Sequence, residues 1–305
     1  MNEEILRIDG LRLAARGPDG AIPLVHGVDL AVRRGERVAL VGESGSGKSI
    51  TARAVLRLDD DITASGSIRV GDADVLTASE RTMRSIRGRR VGMVFQDPLS
   101  ALDPLVRIGG HIEPLFRARG MRPVVARSET AKLLHELGVP DASRRAVSFP
   151  HEFSGGMRQR VVIAMALAGD PDLVIADEPT TALDVRVQKQ VLRVLAESTS
   201  RRGLAVLLIT HDVGIVAGFA DRVAVMYRGR IVESAPTSAF FSDARHPYSQ
   251  GLLRAVPRLD RPGRLLPLDH ASIPEPDDDN SVLVEVGQDH LVARSALAAA
   301  PMGAA

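Results

Sequence analysis

The 305-residue sequence contains no cysteine. This absence excludes disulfides, thiolate zinc sites, iron–sulfur clusters and a cysteine nucleophile, and it agrees with a reducing compartment. The chain also lacks an excess of one charge, because 39 Lys and Arg residues are balanced by 38 Asp and Glu residues, for a formal net charge of +1. Without a long-range positive field, we expect no nucleic-acid partner and no attraction to anionic lipid.

Long apolar runs are missing as well. The longest, at 161–168 and 204–209, are far shorter than the about 20 residues that a membrane-spanning helix needs. Residues 1–9 lack the basic region and apolar core of a secretory leader. We therefore expect that the protein does not insert into a bilayer by itself. With 45% apolar residues, the chain can bury a full hydrophobic core.

One short segment carries a phosphate-binding pattern. The residues Gly42-Glu43-Ser44-Gly45-Ser46-Gly47-Lys48-Ser49 follow the apolar run Arg37–Val41 and open a stretch of helical periodicity that starts at Ile50. The glycines let backbone N–H groups turn toward one anion, Lys48 adds a mobile charge, and Ser49 offers a hydroxyl to Mg²⁺. The pattern predicts a nucleoside triphosphate with magnesium, bound from Gly42 to Ile50. The alternative is a glycine-rich turn without a ligand.

Short β-branched runs alternate with stretches of helical periodicity. The runs lie at 37–41, 91–95, 173–176 and 205–210. This alternation predicts an α/β nucleotide-binding core with a mostly parallel sheet. Two further alternating segments predict antiparallel ribbons at the edge of the sheet, at 67–70 and at 223–232 with a turn at Arg228-Gly229.

The pattern changes in two parts of the chain. Between Gln96 and Ala168 helical stretches replace the strands, notably at 123–137 and 157–168, which predicts a helical subdomain at about 97–168 inserted into the core. Residues 258–280 are rich in Pro and Asp, which favours a loose linker.

Beyond that linker, the runs 281–286 and 290–293 predict a small hairpin, and the Ala-rich end after Ser295 is expected to fray. We therefore divide the chain into an ATPase domain at 1–257 and a partly flexible C-terminal extension at 258–305.

The run Leu173-Val174-Ile175-Ala176-Asp177-Glu178 is an apolar strand that ends in two carboxylates. Parallel strands deliver functional residues at their carboxyl ends. We expect Asp177 to hold magnesium through water, and Glu178 to orient the attacking water or to accept its proton. The alternative is an acidic pair that stabilises the N-terminus of the next helix.

The octet Phe153-Ser154-Gly155-Gly156-Met157-Arg158-Gln159-Arg160 resembles the signature of ABC transporter ATPases. Ser154, Gly155 and Gly156 stand at the start of an apolar helix, where N–H groups can contact an anion. The resemblance implies that this second cradle closes over an ATP bound by the opposite subunit of a head-to-tail pair. The alternative is a serine helix cap followed by a glycine hinge.

Further motifs occur along the chain in the same order as in that family. Gln96, after the run 91–95, resembles the Q-loop glutamine, which contacts magnesium or the attacking water. Thr181-Ala182-Leu183-Asp184 resembles the D-loop, whose aspartate crosses to the partner's site, and His211 resembles the switch histidine that senses the γ-phosphate. A single histidine after a strand is more often a structural cap, so the order of the motifs carries the argument. The resemblance covers about residues 5–234.

Three segments resemble the dipeptide, oligopeptide and nickel importer ATPases within that family. They are the run 95–104, the residues Phe149-Pro150-His151-Glu152, and Arg245-His246-Pro247-Tyr248-Ser249-Gln250, which begins a helix. The resemblance implies a second ATPase subunit, identical or paralogous, and two transmembrane permease subunits at the cytoplasmic face of the cell membrane. It also implies an extracytoplasmic solute-binding protein as an indirect partner. Residues 99–105 are the candidate contact with a permease.

The sequence departs from the family at two places. The family carries an aromatic residue before the phosphate loop that stacks on adenine, but residues 11–22 contain none, and Ala15 stands near the expected place. We expect weaker ATP binding for this reason. Many relatives also carry a cysteine cluster in the tail, which is absent here.

The resemblance implies hydrolysis of ATP to ADP and phosphate by in-line attack of water. Lys48, magnesium, His211 and the opposite subunit's signature serine would stabilise the transition state. One alternative is a soluble ABC-type ATPase that acts on DNA or ribosomes; such proteins usually have duplicated cassettes, coiled-coil arms or strongly basic segments, and none is visible here. A second is a P-loop kinase, which does not need the Ser-Gly-Gly signature. The cargo stays open between dipeptides, longer peptides, nickel and sugars.

Overall fold

The computed structural model describes residues 3–18, 20–180, 185–255, 273 and 282–298. These residues belong to two compact units, each assembled from several stretches of the chain. The first unit comprises Met1–Leu6, Val32–Glu36 and Val70–Leu208; the second comprises Arg7–Ala31, Arg37–Arg69 and Ile209–Ala305. Both units contain strands and helices, which confirms the predicted α/β class.

The strands of the described residues are β1 (Glu4–Gly17), β2 (Gly20–Arg33), β3 (Arg37–Val41), β4 (Ile62–Val70), β5 (Ala73–Asp74), β6 (Val91–Val94), β7 (Leu173–Asp177), β8 (Ala205–Thr210), β9 (Arg222–Tyr227), β10 (Arg230–Pro236), β11 (Leu283–Gly287) and β12 (His290–Ala293). The helices are α1 (Lys48–Ala54), α2 (Glu80–Ser85), α3 (Ile108–Ala118), α4 (Pro123–Glu136), α5 (Ala142–Arg145), α6 (Gly155–Ala168), α7 (Val185–Arg202), α8 (Val213–Val216), α9 (Thr237–Asp243), α10 (Pro247–Arg254) and α11 (Arg294–Ala298).

In the second unit, neighbouring strands follow the order β11, β12, β10, β9, β3. β3 and β9 are parallel, with Val38 opposite Arg222, whereas β9 and β10 form an antiparallel hairpin. The hairpin turn has Arg228 at φ +46° and Gly229 at φ +76°, the two successive left-handed residues that a tight hairpin of this kind requires. This confirms the antiparallel ribbon predicted at 223–232, but its predicted place at the edge of the sheet is wrong, because β10 lies between β9 and β12.

The C-terminal hairpin is also confirmed. β11 and β12 pair antiparallel, and β12 pairs with β10. The expectation that the chain frays after Ser295 is wrong up to Ala298, because α11 spans Arg294–Ala298 and buries Ala296. The predicted linker at 258–280 lies outside the described residues except for Ile273.

In the first unit, β8, β7 and β6 are neighbours in that order. β6 and β7 are parallel, and every residue of β7 is buried. The helices predicted at 123–137 and 157–168 are confirmed as α4 and α6, and α3 packs against both of them. Their apolar faces form a core that includes Ile112, Leu134 and Val161. Whether these helices form a separate subdomain stays a prediction.

The two longest strands were not predicted. β1 and β2 have 14 residues each, and β2, β1 and β4 are neighbours in that order. The predicted ribbon at 67–70 is the end of the longer strand β4. None of the described helices is both long enough and apolar enough to cross a bilayer.

Candidate nucleotide-binding and hydrolysis site

The phosphate loop belongs to the second unit and joins β3 to α1. Gly42, Gly45 and Gly47 have φ values of +156°, +81° and +103°, which L-residues rarely adopt. A Cβ atom at Gly42 would lie 2.2 Å from the carbonyl oxygen of Met226, and one at Gly47 would lie 2.8 Å from the methyl carbon of the same Met226. Gly42 therefore requires glycine for space as well as for conformation, whereas Gly47 requires it for conformation, because a methionine methyl can move aside. At Gly45 a Cβ atom would meet nothing within 4 Å, so the loop is open on that side.

Lys48 lies under this loop and is only 4% exposed. Its Nζ donates to the carbonyl oxygens of Gly42 and Glu43, at 2.8 and 2.6 Å, and lies 3.3 Å from Ser46 Oγ. Thr51 Oγ1 donates to the carbonyl oxygen of Gly47 at 2.8 Å and ties the loop to α1. A buried ammonium beside a glycine loop with an open side fits a phosphate group.

His211 also belongs to the second unit. It follows the last residue of β8 and is exposed. The backbone N–H of Asp212, the next residue in the chain, donates to Thr210 Oγ1 at 3.0 Å. The side chain of Asp212 caps α8 by accepting from Gly214 N at 2.8 Å. The helix cap at this strand end is therefore Asp212, which weakens the alternative that His211 serves as the cap.

Gln96 and Glu178 meet in the first unit, just beyond two paired strands. β6 and β7 are parallel, with Val94 opposite Ala176, and Gln96 and Glu178 each follow this pair by two positions. Gln96 Nε2 donates to Glu178 Oε2 at 3.1 Å. The backbone of Glu178 is left-handed, with φ +45°, and its side chain is half-buried. The structure therefore brings together two of the residues that we predict to act in hydrolysis.

The alternative for the carboxylate pair is stabilisation of the next helix. Among the described residues, α7 begins at Val185 and has no acidic residue in its first turn. The left-handed backbone of Glu178 also breaks the chain direction directly after β7. Asp177 is thus the last residue of β7 and Glu178 follows it directly, and the role of the pair stays a prediction.

Each residue predicted to hold magnesium carries an oxygen donor that suits that ion, and their assembly into one site stays a prediction. In the described part of the chain no group of three or more His, Cys, Asp or Glu side chains could hold a metal. Mg²⁺ needs no such cluster, because it keeps several waters and takes one or two carboxylates together with phosphate oxygens. Asp177, 5% exposed at the end of β7, supplies a carboxylate. Ser49 and Gln96 supply a hydroxyl and an amide oxygen.

The signature octet starts α6. The side chain of Ser154 caps this helix by accepting from Met157 N at 3.4 Å, and a Cβ atom at Gly155 would meet nothing within 4 Å. Further along, α6 packs closely on β6, since a Cβ atom at Gly92 would lie 2.3 Å from the carbonyl oxygen of Ala166. Gly156 is the second residue of the helix. Asp184 and the rest of the predicted D-loop lie outside the described residues.

One contact with the phosphate loop was not predicted. Tyr248, in the segment that resembles the dipeptide, oligopeptide and nickel importer ATPases, accepts a hydrogen bond from the backbone N–H of Glu43 at 2.8 Å. Nothing in the sequence pattern joins two residues 205 positions apart.

Comparisons with known proteins show the family of this chain. Residues 25–181 match the family described as ABC transporter, and residues 232–282 match the C-terminal region of oligopeptide/dipeptide transporters. A putative peptide import ATP-binding protein of Brucella ovis is 49% identical over 266 residues, covering 84% of this chain and 79% of that protein. The oligopeptide transport ATP-binding protein OppD of Bacillus subtilis is 43% identical over 263 residues, covering 85% and 74%.

A solved structure is similar as well. The ATP-binding cassette MJ0796, a dimer in a post-hydrolysis state bound to ADP and Pi, aligns with a TM-score of 0.70 and 26% identity, covering 76% of this chain and 98% of that chain. The glycine loop with its buried lysine and the strand-end carboxylates define a P-loop ATPase. The chain belongs to the ABC transporter ATPases, and within them to the oligopeptide and dipeptide transport ATP-binding proteins. It binds and hydrolyses ATP as the ATPase subunit of a transporter. This family membership argues against the alternatives of a DNA- or ribosome-acting ATPase and of a kinase.

Proposed function

We propose that this chain powers the uptake of peptides, or of a related small solute, through separate permease subunits. The similarity to peptide import ATP-binding proteins carries the proposal, because it extends over more than four fifths of the chain. It includes the C-terminal region that is typical of oligopeptide and dipeptide transporters. An extracytoplasmic solute-binding protein would select the cargo, and this chain would lie at the cytoplasmic face of the membrane.

Residues of the chain have separate tasks in the proposed hydrolysis. The loop from Gly42 to Ile50 holds the phosphates, with Lys48 as the charge nearest to them. Ser49, Gln96 and Asp177 would hold Mg²⁺, which when bound neutralises phosphate charge. Glu178 orients the attacking water and accepts its proton, while the hydrogen bond from Gln96 fixes the Glu178 carboxylate. His211 contacts the γ-phosphate.

A second ATPase subunit would complete the site. Ser154, Gly155 and Gly156 of one subunit would close over the ATP held by the other, and Asp184 would cross to the same side. The open space at Gly155 and the capped start of α6 support this arrangement, since a helix N-terminus favours an anion. ATP that binds the closed pair more tightly than the open pair shifts the assembly toward closure, and hydrolysis releases it.

The candidate permease contact is the segment 99–105. Leu99 is 56% exposed and Leu105 is 84% exposed. Large apolar side chains in a short exposed segment are typical of a contact with another protein. This segment follows Gln96 in the chain, so a shift at the glutamine can move the surface on which a permease helix would rest.

Uptake by cells tests the proposed function. A strain that lacks this protein should take up little labelled di- or oligopeptide, and the wild-type chain should restore uptake, whereas the Glu178→Gln variant should not. Glu136→Gln is the matched control, because it also removes one carboxylate and lies exposed on α4. Affinity purification from detergent extracts should recover two polytopic membrane proteins with the chain. Unchanged peptide uptake in the deletion strain, with no membrane protein recovered, would refute the proposal.

A further inference from the structure

The hydrogen bond between Tyr248 and the phosphate loop acts on one particular peptide group. The N–H of Glu43 donates to the Tyr248 hydroxyl oxygen at 2.8 Å. The carbonyl of the same peptide group belongs to Gly42, and it accepts from Lys48 Nζ at 2.8 Å. Because a peptide group is planar and rigid, its tilt orients both bonds together. Tyr248 and Lys48 therefore hold the Gly42–Glu43 peptide plane from its two opposite edges.

The ring of Tyr248 has little freedom to move. Its side chain is fully buried and packs against the ring of Tyr227, with 4.3 Å between the ring centroids. Burial raises the pKa of the Tyr248 hydroxyl above its usual value, so the group stays neutral at physiological pH. A phenol in a packed ring pair is a fixed acceptor for the loop.

The start of α10, which carries Tyr248, is itself anchored. His246 caps the helix, because its Nδ1 accepts from the backbone N–H of Tyr248 at 3.1 Å. The carboxylate of Glu233 on β10, which is fully buried, accepts from the backbone N–H groups of Arg245 and His246 at 2.8 and 3.0 Å. The same carboxylate lies 2.8 Å from His290 Nε2 in the C-terminal hairpin. A path of hydrogen bonds, partly buried at its last step to Glu43, thus runs from this hairpin to the phosphate loop.

We propose that Tyr248 is a positioning residue for ATP, which sets the Gly42–Glu43 peptide plane and through it the resting place of the Lys48 ammonium. The inference rests on the proposed role of Lys48 in phosphate binding. It gives the His-Pro-Tyr segment a task in the ATPase cycle beyond packing. Without the hydroxyl, the peptide group loses the restraint on its N–H, and the loop samples more orientations before ATP binds, which lowers affinity.

The test compares Tyr248→Phe with Ser249→Ala in the full-length chain. Tyr248→Phe removes the acceptor and keeps the ring. Ser249→Ala is the matched control, because it removes a buried hydroxyl from the next residue of α10, and that hydroxyl has no hydrogen-bond partner among the described residues. We expect Tyr248→Phe to weaken ATP binding, and to raise KM, by about 5-fold, the equivalent of one lost hydrogen bond. kcat should change less than KM.

Amide hydrogen exchange gives a direct second measurement. In Tyr248→Phe the peptide that contains Glu43 should exchange faster, while the peptide of α10 keeps its protection; Ser249→Ala should change neither. If Tyr248→Phe folds and binds ATP like wild type, or if exchange rises equally throughout the chain, Tyr248 only packs and the inference is wrong. The Lys48→Ala variant tests the proposed function separately from the inference about Tyr248. Normal ATP affinity in Lys48→Ala would overturn the proposed function itself, whereas lost affinity there with unchanged Tyr248→Phe would overturn only this inference.

Discussion

Replacing Glu178 with Gln should nearly abolish ATP hydrolysis and leave ATP binding intact. Gln has the size and shape of Glu, so the side chain can stay beside Gln96, whose Nε2 donates to Glu178 Oε2 at 3.1 Å in the wild-type chain. The amide oxygen of Gln at position 178 can also accept the hydrogen bond from Gln96. The change therefore removes one property, the negative charge that accepts a proton from water.

The size of the effect follows from that single loss. A positioned general base contributes about 10²- to 10⁴-fold to a rate, which corresponds to about 3–5 kcal/mol of transition-state stabilisation. The backbone does not contribute to the difference in rate between variant and wild type. At position 178 φ is +45°, and this conformation costs Gln about as much as Glu. ATP affinity should not fall, since we assign binding of the phosphates to the loop around Lys48.

Two measurements check this prediction. Phosphate release at saturating ATP gives turnover, and calorimetric titration with ATP gives affinity. Glu136→Gln controls for the loss of one carboxylate from the first unit. Turnover in Glu178→Gln within about tenfold of wild type would be too fast for a lost general base and would refute the role. Loss of ATP binding together with turnover would assign Glu178 to binding instead.

Two further predictions concern adenine and pH. Ala15 is half-buried in β1. Ala15→Tyr should lower the dissociation constant for ATP by about 2- to 10-fold through base stacking, whereas the control Ala15→Leu should not lower it. An unchanged or higher dissociation constant in both variants would reject the role of this position. Burial lowers the pKa of His246 to about 4 from 6.5, so the folded state binds this proton less readily than the unfolded chain. The free energy of unfolding should therefore fall by up to about 3 kcal/mol as pH drops from about 6.5 to about 4. His246→Asn keeps a helix-cap acceptor and should reduce that loss in urea titrations; an identical pH dependence in both proteins would contradict it.

The parallel core could be predicted because its strands are continuous β-branched runs. β7 is buried at every position, so its run reads as a strand without any alternation. The order of the motifs then predicted which strand ends carry Gln96 and Glu178. Their hydrogen bond could not be predicted, because it depends on the register that sets Val94 opposite Ala176.

The N-terminal strand β1 was missed for a local reason. Its buried residues are Ile5, Leu6 and Ile8 before Gly10, then Leu11 and Leu13 after it, so strict alternation of buried and exposed positions does not run through the strand. Gly10 has φ +56°, as at a glycine bulge, which inserts one residue into a strand. A search for strict alternation fails across such a residue.

The backbone at Glu178 gives a physical argument for its role. A left-handed conformation costs an L-residue about 1–2 kcal/mol, and Glu178 adopts it at the end of a fully buried strand. Glycine would adopt the same φ without that cost, but it would provide no carboxylate and no partner for Gln96. Strain of this kind persists where the surrounding structure holds the residue in place, and it is concentrated at functional sites. The strained backbone of Glu178 and its contact with Gln96 are independent physical reasons to assign this residue to ATP hydrolysis.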